Sequence, residues 1–255
     1  IIFIDELQMT AIYRDAFRRV IGPWLGASSF SIDQFLAADF AEVQRRALRD
    51  YQIVSITESF NLALLLNAND LHGLPRPFVL GLNKELARSK IRELMSDSKI
   101  KGCVVCEDVV GTGKQAGKML QVIEDTSPPD WRILFVPLIA FESGLENIQS
   151  RYVTRTIVKP IVVLPKVRCL TGKPQPEEPE LFKLIRGIVN STAERVATPY
   201  GVADDPPSNP FGYEGSGGLI VTCHNAPNNT LPLIHHRAPT WRALFRRLHH
   251  TERSE

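Results

Sequence analysis

One short stretch constrains the fold of this 255-residue chain more than any other. In it an apolar run is followed by two acidic residues, two more apolar residues and a glycine loop. Residues 102–117 read Gly-Cys-Val-Val-Cys-Glu-Asp-Val-Val-Gly-Thr-Gly-Lys-Gln-Ala-Gly. The β-branched residues predict a strand buried on both faces of a parallel sheet. The glycines allow backbone N–H groups to approach an anion closely, and a helix predicted from Gln115 onward directs its positive end to the same place.

The acid pair Glu107 and Asp108 lies at the predicted carboxyl end of this strand, next to the loop. Ligands of open α/β sheets bind at that end of the strands. Adjacent carboxylates can accept hydrogen bonds from the two hydroxyls of a ribose whose phosphate rests on the loop, or they can meet a bound magnesium ion. The stretch therefore predicts a site for a ribose phosphate.

Two rival interpretations of the stretch fail on spacing. A Walker phosphate loop needs Gly at Asp108 and Ser or Thr at Gln115, so an ATPase of that class is excluded. Cys103 and Cys106 have the spacing of half a zinc knuckle, but residues three apart on a strand point to opposite faces. We expect both thiols to fill the core.

Residues 104–115 resemble the phosphoribosyl diphosphate (PRPP) motif of type I phosphoribosyltransferases, which has four apolar residues, two acids, two apolar residues and a Thr/Gly loop. Gly111 stands where that family usually has Thr, and Gln115 where it usually has Thr or Ser. The Gly-Thr-Gly-x-Gln form, taken with residues 215–234, is similar to a divergent phosphoribosyltransferase-like branch of bacterial conflict systems, whose members accompany antiphage modules including retrons.

The resemblance implies roles for the stretch. Glu107 and Asp108 would be catalytic, and the ligand would be PRPP, a nucleotide or a nucleobase. Magnesium is expected to arrive on the phosphorylated substrate, with no metal ligand on the protein. The same fold also serves as a non-catalytic module that senses PRPP or a nucleotide and regulates a partner, so catalysis is left open. The implied substrate-binding residues are Val109, Val110, Gly111, Thr112, Gly113, Lys114 and Gln115.

Alternating strand and helix patterns predict an α/β fold with a mostly parallel sheet flanked by helices. Two helices precede the sheet, the first ended by Gly22-Pro23 and the second beginning near Ser31. Residues 199–217 predict a long loop. We expect one domain over 1–255, with a helical part at 1–50, an α/β core with insertions at 51–235 and a basic amphipathic tail at 236–255.

Two polar segments follow other predicted strands. Thr57 and Ser59 come after the strand that starts near Ile53, where a turn would either contact pyrophosphate or cap a helix. His224 and Asn228 come after an apolar run, where they either shape an Asn-rich turn or line the mouth of the active site. A zinc site made with the neighbouring Cys and His residues would match no known ligand spacing.

The tail places Trp241, Leu244 and Phe245 on one face of a predicted helix, with arginines beside them. Such a helix packs on the domain, docks a partner protein or contacts nucleic-acid phosphates. A defence-system partner such as a reverse transcriptase with its RNA–DNA hybrid would fit the last possibility.

Composition narrows the setting only slightly. The net charge of +2 gives no global case for nucleic-acid binding, and 44% hydrophobic residues are ordinary for a globular domain. The longest apolar stretches are shorter than a membrane span, so we expect a cytoplasmic protein without a membrane partner. The oligomeric state stays open.

Overall fold

A computed structural model of the chain describes residues 1–29, 40–71, 77–196, 209–236 and 238–245. The chain divides into two compact units. The first contains Ile1–Met9, Phe141–Ser143 and Leu164–Glu255, and the second contains Thr10–Ala140 and Gly144–Val163. The prediction of a single domain over the whole chain stays a prediction.

The described residues form strands and helices that alternate along much of the chain. The strands are β1 (Ile2–Ile4), β2 (Tyr51–Ser55), β3 (Phe78–Val79), β4 (Gly102–Val110), β5 (Arg132–Phe141), β6 (Ile157–Val158), β7 (Val162–Leu164) and β8 (Ile220–Thr222). The helices are α1 (Glu6–Asp15), α2 (Gly22–Ser29), α3 (Phe40–Leu48), α4 (Leu62–Ala68), α5 (Lys84–Ser96), α6 (Lys114–Thr126), α7 (Glu142–Arg151), α8 (Leu181–Val196) and α9 (Pro232–His235).

The sheet of the second unit runs β3-β2-β4-β5-β6, with β7 also paired to β5. The central strand β4 is parallel to both of its neighbours. Gly102 faces Tyr51 on one side and Arg132 on the other, and Val110 faces Ala140. The prediction of a mostly parallel sheet flanked by helices is therefore confirmed.

A hydrophobic core fixes this sheet against its helices. Val105 of β4 and Phe135 of β5 pack with Ile123 of α6 and Ile91 of α5, and all four are fully buried. Burying a large aliphatic or aromatic side chain contributes about 1.5–3 kcal/mol. The alternation of strand and amphipathic helix thus gives one sheet packed against helices, and the central strand of that sheet carries the motif.

The prediction that Gly22-Pro23 ends the first helix is wrong. A π-helical turn, Ala16–Ile21, joins α1 to α2, and Gly22 keeps helical dihedral angles of −59° and −50°. Its N–H donates to Phe17 O, five residues back. Pro23 then falls in the first turn of a new helical segment, where a missing N–H costs nothing. The predicted start near Ser31 lies outside the described residues.

The first unit has its own small sheet and core. β1 is parallel to β8, with Phe3 opposite Val221. The core beneath includes Phe182 and Val189 of α8, together with Leu231.

The predicted tail helix is not formed in the part of the tail that the structure describes. Residues 238–241 form a turn closed by a bridge between Ala238 and Trp241, and residues 242–245 are not helical. Trp241 Nε1 donates to Leu233 O at 2.8 Å, which holds the indole in place by one directed bond. The remainder of the predicted helix lies outside the described residues, as does most of the predicted loop at 199–217.

No helix within the described ranges combines the length and the apolar character that crossing a bilayer would require.

Candidate functional site

The acid pair lies near the carboxyl end of β4, where the strand is still paired with β5. Glu107 is opposite Pro137 and is 6% exposed, whereas Asp108 is half-buried. The turn after β2 lies beside them because β2 and β4 are adjacent and parallel. The predicted placement of the two acids at this edge of the sheet therefore agrees with the observed strand bounds.

Two hydroxyls from that turn bind the two carboxyls, and we call these four residues, Thr57, Ser59, Glu107 and Asp108, the hydroxyl clasp. The Thr57 hydroxyl forms a hydrogen bond with Glu107 Oε1, and its backbone N–H donates to Oε2 at 3.2 Å. Ser59 donates to Asp108 Oδ1 at 2.9 Å, and its Oγ lies 2.7 Å from Thr57 Oγ1.

The expectation that Thr57 or Ser59 caps a helix is wrong. The next helix, α4, is capped by Asn61, whose Oδ1 accepts from Leu64 N–H at 2.9 Å. The two hydroxyls are available for the acids because the turn needs neither of them as a cap. Contact of this turn with pyrophosphate stays a prediction.

Burial raises the pKa of both carboxyls of the clasp. For Glu107 the negative charge of Asp108 raises the pKa further, against the bonds from Thr57 that lower it. For Asp108 the bonds from Ser59 and from Val109 N–H oppose the effect of burial. The contact between the two carboxyls acts to raise the pKa of Glu107 and to lower that of Asp108.

The loop after β4, Gly111–Gly113, which we call the glycine loop, leads directly into α6. Gly113 has a φ of 74°, a left-handed conformation that favours glycine, and it caps the helix. Within the described part of the chain, the N–H groups of Gly111, Thr112 and Gly113 donate to no acceptor. Free N–H groups at the start of a 13-residue helix are suited to bind an anion.

Helix α7 braces the glycine loop from behind. A Cβ on Gly144 would lie 2.1 Å from Gly111 O, and one on Gly113 would lie 2.3 Å from Gly144 O. Asn147 Nδ2 donates to Thr112 O at 2.8 Å. Backbone thus rests on backbone with no room for a side chain, and this fixes the direction in which the loop presents its N–H groups.

Comparison with protein families decides what kind of domain carries this site. The PRTase-CE family profile matches residues 1–247, nearly the whole chain. The protein belongs to the PRTase-CE family. It is accordingly a phosphoribosyltransferase-like domain, as residues 104–115 predicted. A comparison with curated proteins finds no match.

In this PRTase-CE domain the remaining residues of the motif differ in exposure. Val110 is buried in the hydrophobic core, and Val109 is half-buried with its N–H donating to Asp108 Oδ1 at 2.8 Å. Lys114 is half-buried and Gln115 is exposed at the start of α6. The side chain of Val110 therefore serves the fold, and a role of this residue at a ligand would come from its backbone.

The two cysteines of the motif are buried and free, as expected. Burial raises the pKa of the Cys103 thiol to about 12. It also raises the pKa of the Cys106 thiol, beside which the charge of Glu107 acts in the same direction. A buried thiol with a raised pKa is a poor nucleophile near neutral pH.

His224 and Asn228 lie in the first unit of the PRTase-CE domain, on the exposed turns that follow β8. Asn228 O accepts from Tyr213 N–H at 2.9 Å, so its backbone takes part in the turn. A role for either side chain at the ligand stays a prediction.

Sequence reasoning named Thr57 and Ser59 but missed their hydrogen bonds to the acids, and it missed the brace behind the glycine loop. Those hydrogen bonds could have been found from a Thr-x-Ser pattern that follows the strand adjacent to the acids. The brace by Gly144 and Asn147 left no signal, because a glycine and an asparagine in a helix have no pattern of their own.

Proposed function

We propose that the chain binds a phosphorylated ribose, either PRPP or a nucleotide. It then breaks the bond between the anomeric carbon and the leaving group, and the ribose phosphate passes to an acceptor base or to water. One observation carries this proposal: N–H groups that donate to no described residue lie at the start of α6, three residues after the acid pair on the central strand. Membership of the PRTase-CE family supports the same chemistry in general terms.

The phosphate end is the glycine loop. Its three N–H groups and the positive end of α6 offer hydrogen bonds and partial charge to a 5′-phosphate. Thr112 is half-buried, and its hydroxyl is a further donor. The half-buried Lys114 follows at the first helical position and adds charge.

The ribose end is the hydroxyl clasp. The two hydrogen bonds that Asp108 accepts from other described residues both end on Oδ1, which leaves Oδ2 for a ribose hydroxyl. As the bond from C1′ to the leaving group breaks, positive charge develops on the ribose. A nearby carboxylate stabilises that charge without reorganisation. Magnesium, carried by the substrate's phosphates, would neutralise a leaving pyrophosphate.

Calorimetric titration with magnesium–PRPP tests this function, with ribose 5-phosphate and magnesium pyrophosphate as partial ligands. A Glu107→Ala, Asp108→Ala double variant that still folds should lose affinity for PRPP, and both partial ligands should bind more weakly than PRPP. The exposed Glu58, in the turn of the clasp but not in its hydrogen-bond chain, provides the matched Glu58→Ala control. Absence of binding to PRPP, ribose 5-phosphate and nucleotides alike would contradict the proposal.

A non-catalytic sensor is the second candidate. Gly111 and Gln115 stand where the type I family usually has hydroxyl residues, which favours binding without turnover. Incubation with magnesium–PRPP and each common base, followed by chromatography, separates the two candidates. A sensor returns the ligand unchanged, whereas an enzyme releases pyrophosphate or free base.

We place this activity in bacterial antiphage defence, with a retron-type reverse transcriptase and its RNA–DNA hybrid as the partner. The support is the resemblance of residues 215–234 and of the Gly-Thr-Gly-x-Gln loop to that branch. Overexpression in a bacterium should be toxic, and the double acid variant should relieve the toxicity. Equal toxicity of both forms would contradict an effector role for this site.

A further inference from the structure

Four oxygen atoms of the hydroxyl clasp form a continuous chain. Glu107 Oε1 contacts Thr57 Oγ1, Thr57 Oγ1 lies 2.7 Å from Ser59 Oγ, and Ser59 Oγ lies 2.9 Å from Asp108 Oδ1. All three contacts are within hydrogen-bonding distance. Each therefore needs a hydrogen between its two oxygens.

The hydroxyls supply too few hydrogens for these contacts. Thr57 and Ser59 have one hydroxyl hydrogen each, whereas the chain has three oxygen–oxygen contacts. With both carboxyls ionised, one contact would bring two lone pairs together in a buried place. The missing hydrogen must come from a carboxyl group.

The hydrogen bonds to backbone N–H groups indicate which carboxyl carries it. Asp108 Oδ1 already accepts two hydrogens, from Ser59 and from Val109 N–H, as an ionised carboxylate does. Glu107 accepts from Thr57 N–H at Oε2, which leaves Oε1 to donate towards Thr57. Glu107 is also the more deeply buried of the two, and a neutral group suits that place.

We propose that Glu107 is a protonated positioning residue at neutral pH, acting through Thr57 and Ser59 on Asp108, which alone presents a carboxylate to the ligand. This rests on the proposed function for the identity of the ligand, but the proton itself does not. The chain fixes Asp108 Oδ1, so that Oδ2 points at the ribose with the single negative charge of the pair. The raised pKa of the Glu107 carboxyl agrees with a proton on that group.

Few titratable side chains lie next to Glu107 and Asp108 among the described residues. Glu58 is exposed on the turn of the clasp, and Lys114 is half-buried at the start of α6. Cys106 precedes Glu107 on β4, and burial keeps its thiol protonated. On β5, residues 137–141 beside the pair include no titratable side chain.

Carbon-13 NMR titration of the labelled Glu and Asp carboxyls tests where the proton lies. One Glu signal should stay protonated well above the ordinary glutamate pKa of about 4.3, and it should vanish in Glu107→Gln. In Asp108→Asn the same signal should titrate at lower pH, because the neighbouring charge that holds the proton is gone. Titration of Glu107 in the ordinary range would overturn the proposal.

The hydroxyl connection has its own test. Thr57→Val removes the oxygen that bridges Glu107 and Ser59, whose own oxygens lie 3.5 Å apart, and Thr57→Ser keeps it. The Glu107 carboxyl signal should shift in Thr57→Val and return in Thr57→Ser. A signal that is the same in all three proteins would show that the chain of hydroxyls does not carry the contact.

Binding measurements test the division of roles. Glutamine mimics a protonated Glu107, so Glu107→Gln should keep affinity for magnesium–PRPP within about threefold, while Asp108→Asn should lose about tenfold or more. Equal losses in the two variants would overturn the division. If the natural chain binds no phosphorylated ribose, the proposed function is wrong, and the NMR titration still decides whether Glu107 holds the proton.

Discussion

The hydroxyl clasp and the glycine loop lie in one unit but meet the demands of polar groups in opposite ways. In the clasp, hydroxyls and carboxyls satisfy one another through a chain of short contacts. In the glycine loop, three N–H groups are left without acceptors among the described residues, and the packing of α7 with one hydrogen bond from Asn147 holds the loop. The clasp is held together by bonds within the fold, whereas the donors of the glycine loop are the groups that we propose bind a phosphate.

This difference shows how a site is kept in order without a ligand. Unpaired donors are tolerated at a helix N-terminus because the backbone there has no partner of its own. Their direction must then be fixed by packing, and Gly144 supplies it by resting on Gly111 O. Buried carboxyls have no such tolerance, since an unpaired charge in the interior is costly. They need partners in the fold itself.

The strongest test of the comparison is Gly144→Ala, which should disorder the glycine loop. Its Cβ would lie 2.1 Å from a backbone oxygen that cannot turn away. Overpacking of this kind costs about 1–3 kcal/mol, and we also expect ligand affinity to be lost. Urea unfolding and calorimetry measure the two effects.

The matched control for that test is Gly187→Ala in α8, where an added Cβ meets no atom within 4 Å. That variant should be unchanged or more stable by about 0.4–1 kcal/mol, because alanine restricts the unfolded chain. Stability and binding of Gly144→Ala that equal those of the control would show that α7 does not brace the loop.

A second prediction concerns pH and isolates the clasp. The pKa of Glu107 is raised in the folded chain, so between its unfolded and folded pKa values the native state holds the extra proton. The free energy of unfolding should fall as pH rises through that window, by at most about 1.4 kcal/mol per pH unit for one group. Glu107→Gln should remove this slope in urea unfolding measured across pH, and a slope unchanged in the variant would contradict the assignment.

Glu124 provides the opposite case for comparison. Partial burial acts to raise its pKa, but bonds from Thr156, Thr154 and Arg155 outweigh that effect and lower it. Its stabilising contribution should be present above the unfolded pKa and be lost as pH falls through the folded one. Glu124→Gln should therefore reduce the loss of unfolding free energy at pH values below the unfolded glutamate pKa. Glu107→Gln should instead reduce the loss at pH values above it.

The smallest expected effect is that of Asn147→Ala. It removes one hydrogen bond, to Thr112 O, and leaves the backbone contact of Gly144 in place. We expect a loss of about 0.5–1.5 kcal/mol in stability and a reduction of a few fold in affinity. Ser150→Ala, on an exposed part of α7, is the control, and a loss of affinity in the control as large as in Asn147→Ala would show that the effect is not specific to the loop.

Most of the sheet could be predicted because its signal is local. The β-branched run of β4 lies within one element, and α6 begins at Lys114, one residue before the start expected at Gln115. The first helix was harder to predict. Gly22-Pro23 reads as a stop, but the contacts of a π-helical turn with the core carry the helix past it.

The sequence by itself determined that β4 delivers two acids to a glycine loop at a helix N-terminus, since strand, loop and helix propensities are properties of adjacent residues. Tertiary structure alone decided what surrounds them. Thr57 is 50 residues from Glu107, and Gly144 is far along the chain from Gly111, so only the parallel pairing of strands and the packing of α7 could bring these groups together. A contact across such a separation depends on how the elements assemble, and no periodicity within a single element records it.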